Sequence, residues 1–208
     1  MIASRPTYPS HGARKMSSPV RDARLPELLV GSVRDGRGLL RAVLLALAGS
    51  VLLTLSAKLK VPFHPVPMTM QTMVVLVLGV AYGSRLGAAT VALYLLQGAI
   101  GLPVFADTPE RGVGIAYMAG PTGGYLAGFL AAAWLAGAIG QGGLLRLAAA
   151  MLAGHAVIFA FGLAWLATAI GVEKAWLVGV APFLLATLLK SALGVALVAG
   201  LKAWAPRR

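Results

Sequence analysis

At 208 residues, 59% of them hydrophobic and 12% charged, with a mean hydropathy of +0.84, this chain has the profile of an integral membrane protein rather than a soluble domain. It has no cysteine, which excludes a disulfide framework, thiolate catalysis and a cysteine metal site. The net charge of +12 does not mark a nucleic-acid binder, because eight of the 18 Lys and Arg residues fall in the first 41 positions, ahead of the first apolar span.

Residues 1–37 are rich in Arg, Pro and Ser and lack the continuous apolar core and small-residue cleavage site of a secretory signal. They read as a basic, flexible cytoplasmic arm, in which the apolar stretch 25–33 either lies on the membrane surface or belongs to a disordered tail. Met16-Ser17-Ser18 leaves a later natural start open. From Leu39 onward the chain divides into six apolar segments, at about 39–57, 67–82, 86–104, 118–140, 145–171 and 177–201. Most approach the ~20 residues that a helix needs to cross ~30 Å of hydrocarbon. The second is short and opens on Thr69, Gln71 and Thr72, so its first turn is expected to face protein or water.

With the N-terminus inside, the inner side collects those eight basic residues plus Arg85, Arg146, Lys202, Arg207 and Arg208, against Lys58, Lys60, Arg111 and Lys174 outside. The positive-inside rule therefore predicts both termini in the cytoplasm. Lys190 belongs to neither side, lying near the middle of the last span. This topology gathers the unusual segments at the outer face: the loop 60–67, and the longest loop, about 104–117, which runs into Gly120-Pro121-Thr122-Gly123-Gly124-Tyr125. Broken, glycine-rich backbone at membrane depth is tolerated only where protein buries it or a cavity receives it. The predicted fold is all-α, an integral membrane bundle of six transmembrane helices over 38–208.

Four ordered motifs carry a family resemblance: VPMTMQT opening the second span, YLLQGAIGLPVF closing the third, GPTGGY opening the fourth, and PFLLATLLKSAL in the sixth. Together they resemble the BioY family, the biotin-specific substrate-binding subunits, or S components, of energy-coupling-factor transporters, over roughly residue 40 to the C-terminus. The resemblance implies a six-helix bundle in the plasma membrane that captures biotin at its outer face. It also implies partners, a transmembrane coupling subunit and two ATPase subunits, with no cofactor on this chain. The chain itself contains no P-loop, since its one Lys-Ser pair, Lys190-Ser191, follows an apolar run. Homo-oligomerisation is left open.

Biotin asks three things of a pocket: partners for a ureido group with two N–H donors and a carbonyl, an apolar wall for the thiophane ring, and a cation for the carboxylate. Thr69, Gln71, Thr72, Gln97 and the backbone around Gly123 and Gly124 suit the first, and Tyr94, Tyr125 and Phe63 the second. Lys190 and Arg111 suit the third. A lysine at a helix centre costs roughly 2.5–3.5 kcal/mol on insertion scales, which favours an internal polar cavity over snorkelling. The family pattern more often has Gly-Asp a few residues before this lysine. Here Ala186 and Thr187 stand instead, and Thr187 offers a hydroxyl acceptor without charge.

Each candidate also has a plainer reading. Tyr94 and Gln97, as i,i+3 neighbours, serve equally as polar contacts between helices. Arg111, beside Asp107 and Glu110, serves equally as a solvated ion pair. His64 helps its loop to pack, and His155 reads as an interhelical hydrogen-bonding residue rather than a metal ligand. In the first span Ala42, Ala46 and Ser50 recur at i, i+4 and i+8, a small-residue face that lets helices approach closely. In S components such a pattern resembles the surface that docks the coupling subunit, the alternative being packing inside the bundle. The competing functions are an S component for another vitamin and a structural membrane subunit without a ligand. An enzyme is disfavoured because the spans hold no paired carboxylates or Ser-His-Asp set.

Overall fold

The computed structural model describes residues 25–26, 36–61 and 64–204. Most of the 1–37 arm, Phe63 and the last four residues lie outside the described residues. Helix α1 (Gly36–Lys58) leads into a two-stranded hairpin, β1 (Lys60–Val61) and β2 (Met68–Thr69), paired antiparallel with Lys60 opposite Thr69. Helix α2 (Gln71–Ala99), the short α3 (Gly114–Met118), α4 (Gly123–Ile139) and α5 (Leu144–Ile170) follow. The chain ends in α6 (Val172–Gly179), a 3-10 turn (Ala181–Phe183) and α7 (Leu184–Trp204). Among the described residues, four stretches are long and apolar enough to cross a membrane, namely Gly36–Lys58, Gln71–Ala99, Leu144–Ile170 and Val172–Trp204, while the apolar Gly123–Ile139 is shorter.

Helix α2 contains the second and third apolar segments together. At Gly83 the backbone leaves helical geometry (φ +80°, ψ 168°), a conformation open to glycine and strained for other residues. The chain doubles back there, so that a Cβ added at Gly87 would stand 2.8 Å from the Cα of Gly79. Where 177–201 was expected to be one span, the helix stops at Gly179 and restarts at Leu184. Pro182 supplies the reason, because it has no N–H to continue the ladder and its ring clashes with the preceding turn. The third span ends at Ala99 and the fourth begins at Gly123, each shorter than its apolar run, since the flanking residues form the long connection 100–122.

Helix α4 packs against both α2 and α5, and these three make the centre of the bundle. Their contacts depend on small residues: a Cβ at Gly79 would run into the Ala133 carbonyl, and one at Gly137 into the Ser84 backbone. In hydrocarbon, where burying apolar area from lipid drives nothing, such close approach is what holds helices together. Helix α1 lies at the periphery, with Leu40, Leu44, Leu47 and Leu55 exposed toward the lipid side.

The Ala42–Ala46–Ser50 stripe, expected as a partner surface, lies on the inward side of α1. Ala42 (8% exposed) and Ser50 (1%) are buried, Ala46 is half-buried, and Ser50 donates to Gln97 Oε1 on α2. The short side chains are used within the bundle. Leu25, in the segment expected to be a flexible arm, is buried at 3% exposure, and Pro26 lies beside Gly83.

Gly79→Val should force α2 and α4 apart and lower stability by about 1–3 kcal/mol. The expected reading is a clear fall in the thermal midpoint of the detergent-purified chain, whereas Leu44→Val on the lipid side should leave it nearly unchanged.

Candidate functional site

At the end of the bundle where the hairpin and the 100–122 connection meet lies a cavity. It encloses about 630 Å³ of space not filled by protein atoms, part of it open to solvent. Thr69 reaches it from β2, Gln71 and Thr72 from the start of α2, and Thr187 and Lys190 from α7. Thr122 and Tyr125 come from the GPTGGY turn, and the apolar wall is completed by Phe105, Tyr117, Phe129, Phe159 and Phe183. A mostly apolar pocket with a few convergent polar groups is the usual form of a small-molecule site.

Lys190 is 8% exposed, and its Nζ donates to the Thr69 carbonyl at 2.6 Å. Its ammonium is thus turned into the bundle, where it ties α7 to the hairpin. Thr69 Oγ1 accepts from the Gln71 backbone N–H at 3.3 Å, which starts helix α2 in place of a preceding turn. Gln71, 4% exposed, has a buried side-chain Nε2 with no hydrogen-bond partner among the described residues. A buried donor left unsatisfied costs about 1–3 kcal/mol. The amide nitrogen lies in the interior next to the Tyr94 phenol, behind the cavity that Gln71 lines.

The aromatic wall is held from behind. Phe105 stacks on Tyr117 with centroids 5.0 Å apart and meets the edge of Tyr94 at 5.4 Å, while Gly98 leaves the room its ring occupies. Burial pushes the Tyr117 phenol pKa up from its ordinary value, so this wall stays uncharged. Tyr125 spends its hydroxyl on the Gly179 carbonyl at 2.8 Å. Gly162 and Gly179 make room for that ring, since a Cβ at either would collide with it.

The connection above the cavity is clamped by α1. Lys58 Nζ donates to Phe105 O and Thr108 O at 2.8 Å each and to Thr108 Oγ1 at 3.1 Å. Asp107 pairs with Lys60 and with Arg111 at 3.5 Å. Arg111 also donates to Pro65 O at 3.4 Å, joining the two loops at the mouth.

Of the residues singled out in the sequence, Thr69, Gln71, Tyr125, Thr187 and Lys190 come together on the cavity, as does Thr72. Others stand elsewhere. Tyr94 is fully buried and donates to the Val104 carbonyl at 3.1 Å, in a second row behind Phe105. Gln97 faces Ser50 on α1. Gly123 and Gly124 are packing positions, Gly123 against the Met118 carbonyl and Gly124 against Trp165 and Phe161. The backbone expected to be free in this turn is largely occupied, since Gly120 O accepts from Trp165 Nε1 at 2.9 Å and from Gly123 N at 3.0 Å. Arg111 is half exposed at the mouth, in the ion pair with Asp107 rather than on the wall. Phe63 lies outside the described residues.

Sequence reasoning did not single out Thr122, Phe105 or Phe183, although each lies within a motif it used. Among the described residues no cluster of three or more His, Asp or Glu is arranged to hold a metal.

The fold defines the class. The chain superposes on the crystal structure of the S-component for biotin from an ECF-type ABC transporter with a TM-score of 0.70, covering 81% of this chain and 94% of that one at 22% identity. This is an S-component fold, in a multi-pass membrane protein. The chain belongs to the BioY family, whose model matches residues 24–207. It is 38% identical over 144 residues to the probable biotin transporter BioY of Pyrococcus horikoshii, 69% of this chain and 85% of that protein. With the biotin transporter BioY of Rhizobium etli it shares 39% over 142 residues, 62% of this chain and 74% of that protein. With that of Thermotoga maritima it shares 35% over 144 residues, 68% and 83%.

Replacing Lys58 with Met leaves the Phe105 and Thr108 carbonyls without their charged donor. Amide hydrogen exchange across 104–110 should quicken by about tenfold or more, with the helix cores unaffected.

Proposed function

We propose that this chain captures biotin and serves its uptake as the substrate-specific S component of an ECF-type transporter. The observation that carries the reading is the cavity itself, which within a BioY-family S-component fold presents an enclosed ammonium, Lys190, beside the hydroxyl side chains of Thr69, Thr72 and Thr187. Biotin supplies a carboxylate for the ammonium, a ureido group for the hydroxyls and a thiophane ring for the aromatic wall. No bond is made or broken in this reading; the chemistry is binding. Thr69, Thr187 and Tyr125 complete the inner contacts, and Arg111 is the second cation a carboxylate meets at the mouth.

Counting the two arms of α2 separately and including α4 gives six spans. With the inner excess of Lys and Arg this supports a plasma-membrane topology with both termini cytoplasmic. Energy for release then comes from a coupling subunit and two ATPase subunits. Ala42 and Ser50 face inward on α1, so outward residues of the same helix are further candidates for contact with the coupling subunit.

Equilibrium binding of labelled biotin to the purified chain, with other vitamins as competitors, tests the substrate. Biotin should bind stoichiometrically and the competitors should not displace it; tighter binding of another vitamin would replace the reading. Lys190→Ala should weaken biotin binding at least about a hundredfold, the scale of losing a charged hydrogen-bond partner in a buried site. Biotin amide, which lacks the carboxylate, should bind parent and variant about equally. Unchanged biotin affinity in Lys190→Ala would remove Lys190 from the site. For the topology, single cysteines at Ser84 and Glu110 should label from opposite sides of sealed vesicles.

A further inference from the structure

We propose that His155 is a positioning residue that fixes Thr72 as a hydrogen-bond acceptor on the cavity wall, so that this wall selects a ligand presenting an N–H donor. The inference rests on the biotin reading, in which the donor is one of the two ureido N–H groups.

His155 sits on α5 at 2% exposure, and the binding contacts above make no use of it. Its Nδ1 lies 2.9 Å from the Met151 carbonyl, one turn earlier. A carbonyl oxygen only accepts, so Nδ1 carries a proton. Ser191 Oγ, on α7 next to Lys190, lies 3.2 Å from the same nitrogen and shares that N–H as a second acceptor. All three groups bonded to the ring are uncharged, and a buried imidazole with no counter-charge among its partners is the neutral form. Its Nε2 is therefore a lone pair. Thr72 Oγ1 lies 3.2 Å from that lone pair, so the hydroxyl must donate to it.

A threonine hydroxyl has one proton and two lone pairs. With the proton committed to His155, Thr72 has only acceptor capacity left for the cavity it lines. A carbonyl or carboxylate oxygen brought to this point faces lone pairs, whereas an N–H is matched. The preceding residue, Gln71, also lines the cavity. The tautomer, set by a backbone carbonyl on α5, decides the sign of the contact. It also disfavours a carboxylate at this point of the wall.

The test uses the full chain in lipid nanodiscs, with biotin and the two cyclic carbamate analogues in which one or the other ureido N–H is replaced by a ring oxygen. These analogues keep the ligand's size and exchange a donor for an acceptor. The parent should reject one of the two about tenfold relative to biotin, the scale of one neutral hydrogen bond replaced by a lone-pair clash. Thr72→Val and His155→Phe should each shrink that penalty to about threefold or less, and the double variant should shrink it no further. His155→Gln, with an amide oxygen to accept from Thr72 and an NH2 to donate to Met151, should restore it. Where His155→Phe does not fold, Thr72→Val and His155→Gln carry the comparison. Retention of the full penalty in Thr72→Val overturns the inference, and so does a uniform loss of affinity for all three ligands in both His155 variants. Biotin binding by the parent with no discrimination between the analogues overturns this inference alone; absence of biotin binding by the parent overturns the biotin reading with it.

Discussion

An ammonium enclosed in an apolar helix bundle must be held by something, and here the holder is a backbone carbonyl of the hairpin. Lys190 donates to Thr69 O, and much of the outer end is organised around that bond. It brings α7 against β2, fixes the strand that begins α2, and sets Thr69, Gln71 and Thr72 on one side of a space whose other side is aromatic. A carbonyl is a weak partner for a full charge compared with a carboxylate. The ammonium is therefore solvated enough to be kept inside and still has electrostatic attraction left for an anion.

A second division of labour separates packing from recognition. Glycines and alanines bring α2, α4 and α5 close enough for dispersion to hold them without a hydrophobic drive. The residues that face the cavity, by contrast, are mostly threonines, a glutamine, a lysine, aromatic rings and larger aliphatic side chains. The two sets meet at Tyr125, whose ring faces the cavity while its hydroxyl and its seat between Gly162 and Gly179 belong to the packing. Lys58 plays the equivalent part for the connection above, since its ammonium gathers the carbonyls of a segment that no helix or strand satisfies.

Much of this was legible in the sequence because membrane physics leaves few alternatives. Long apolar runs gave the helices, and a lysine amid Leu188, Leu189 and Leu193 favoured an interior polar cavity over snorkelling. Thr69, Gln71 and Thr72 stood out as polar residues at the start of an apolar span. What the sequence did not reveal was which side of each helix faces which neighbour. The Ala42 stripe and the glycines of GPTGGY are short residues that suit any close approach, and only the packed bundle shows which neighbours they meet, α2 and α5. Tyr94 and Gln97 were left open between ligand and interior contact, and Gln97 bonds Ser50 while Tyr94 bonds Val104 O, because a buried polar group bonded within the bundle has the same sequence signature as one bonded to a ligand. The break before α7 was written in Pro182, inside a run whose hydropathy hid it.

The reversal at Gly83 has a consequence for how the protein is made. The arms on either side of it comprise residues 71–82 and 84–99. At 1.5 Å per residue each is shorter than the ~30 Å of hydrocarbon. Neither arm is a good substrate for the insertion machinery by itself. Joined through a single residue and packed on each other at Gly79 and Gly87, the two arms are expected to enter the lipid as one hairpin rather than as two independent spans.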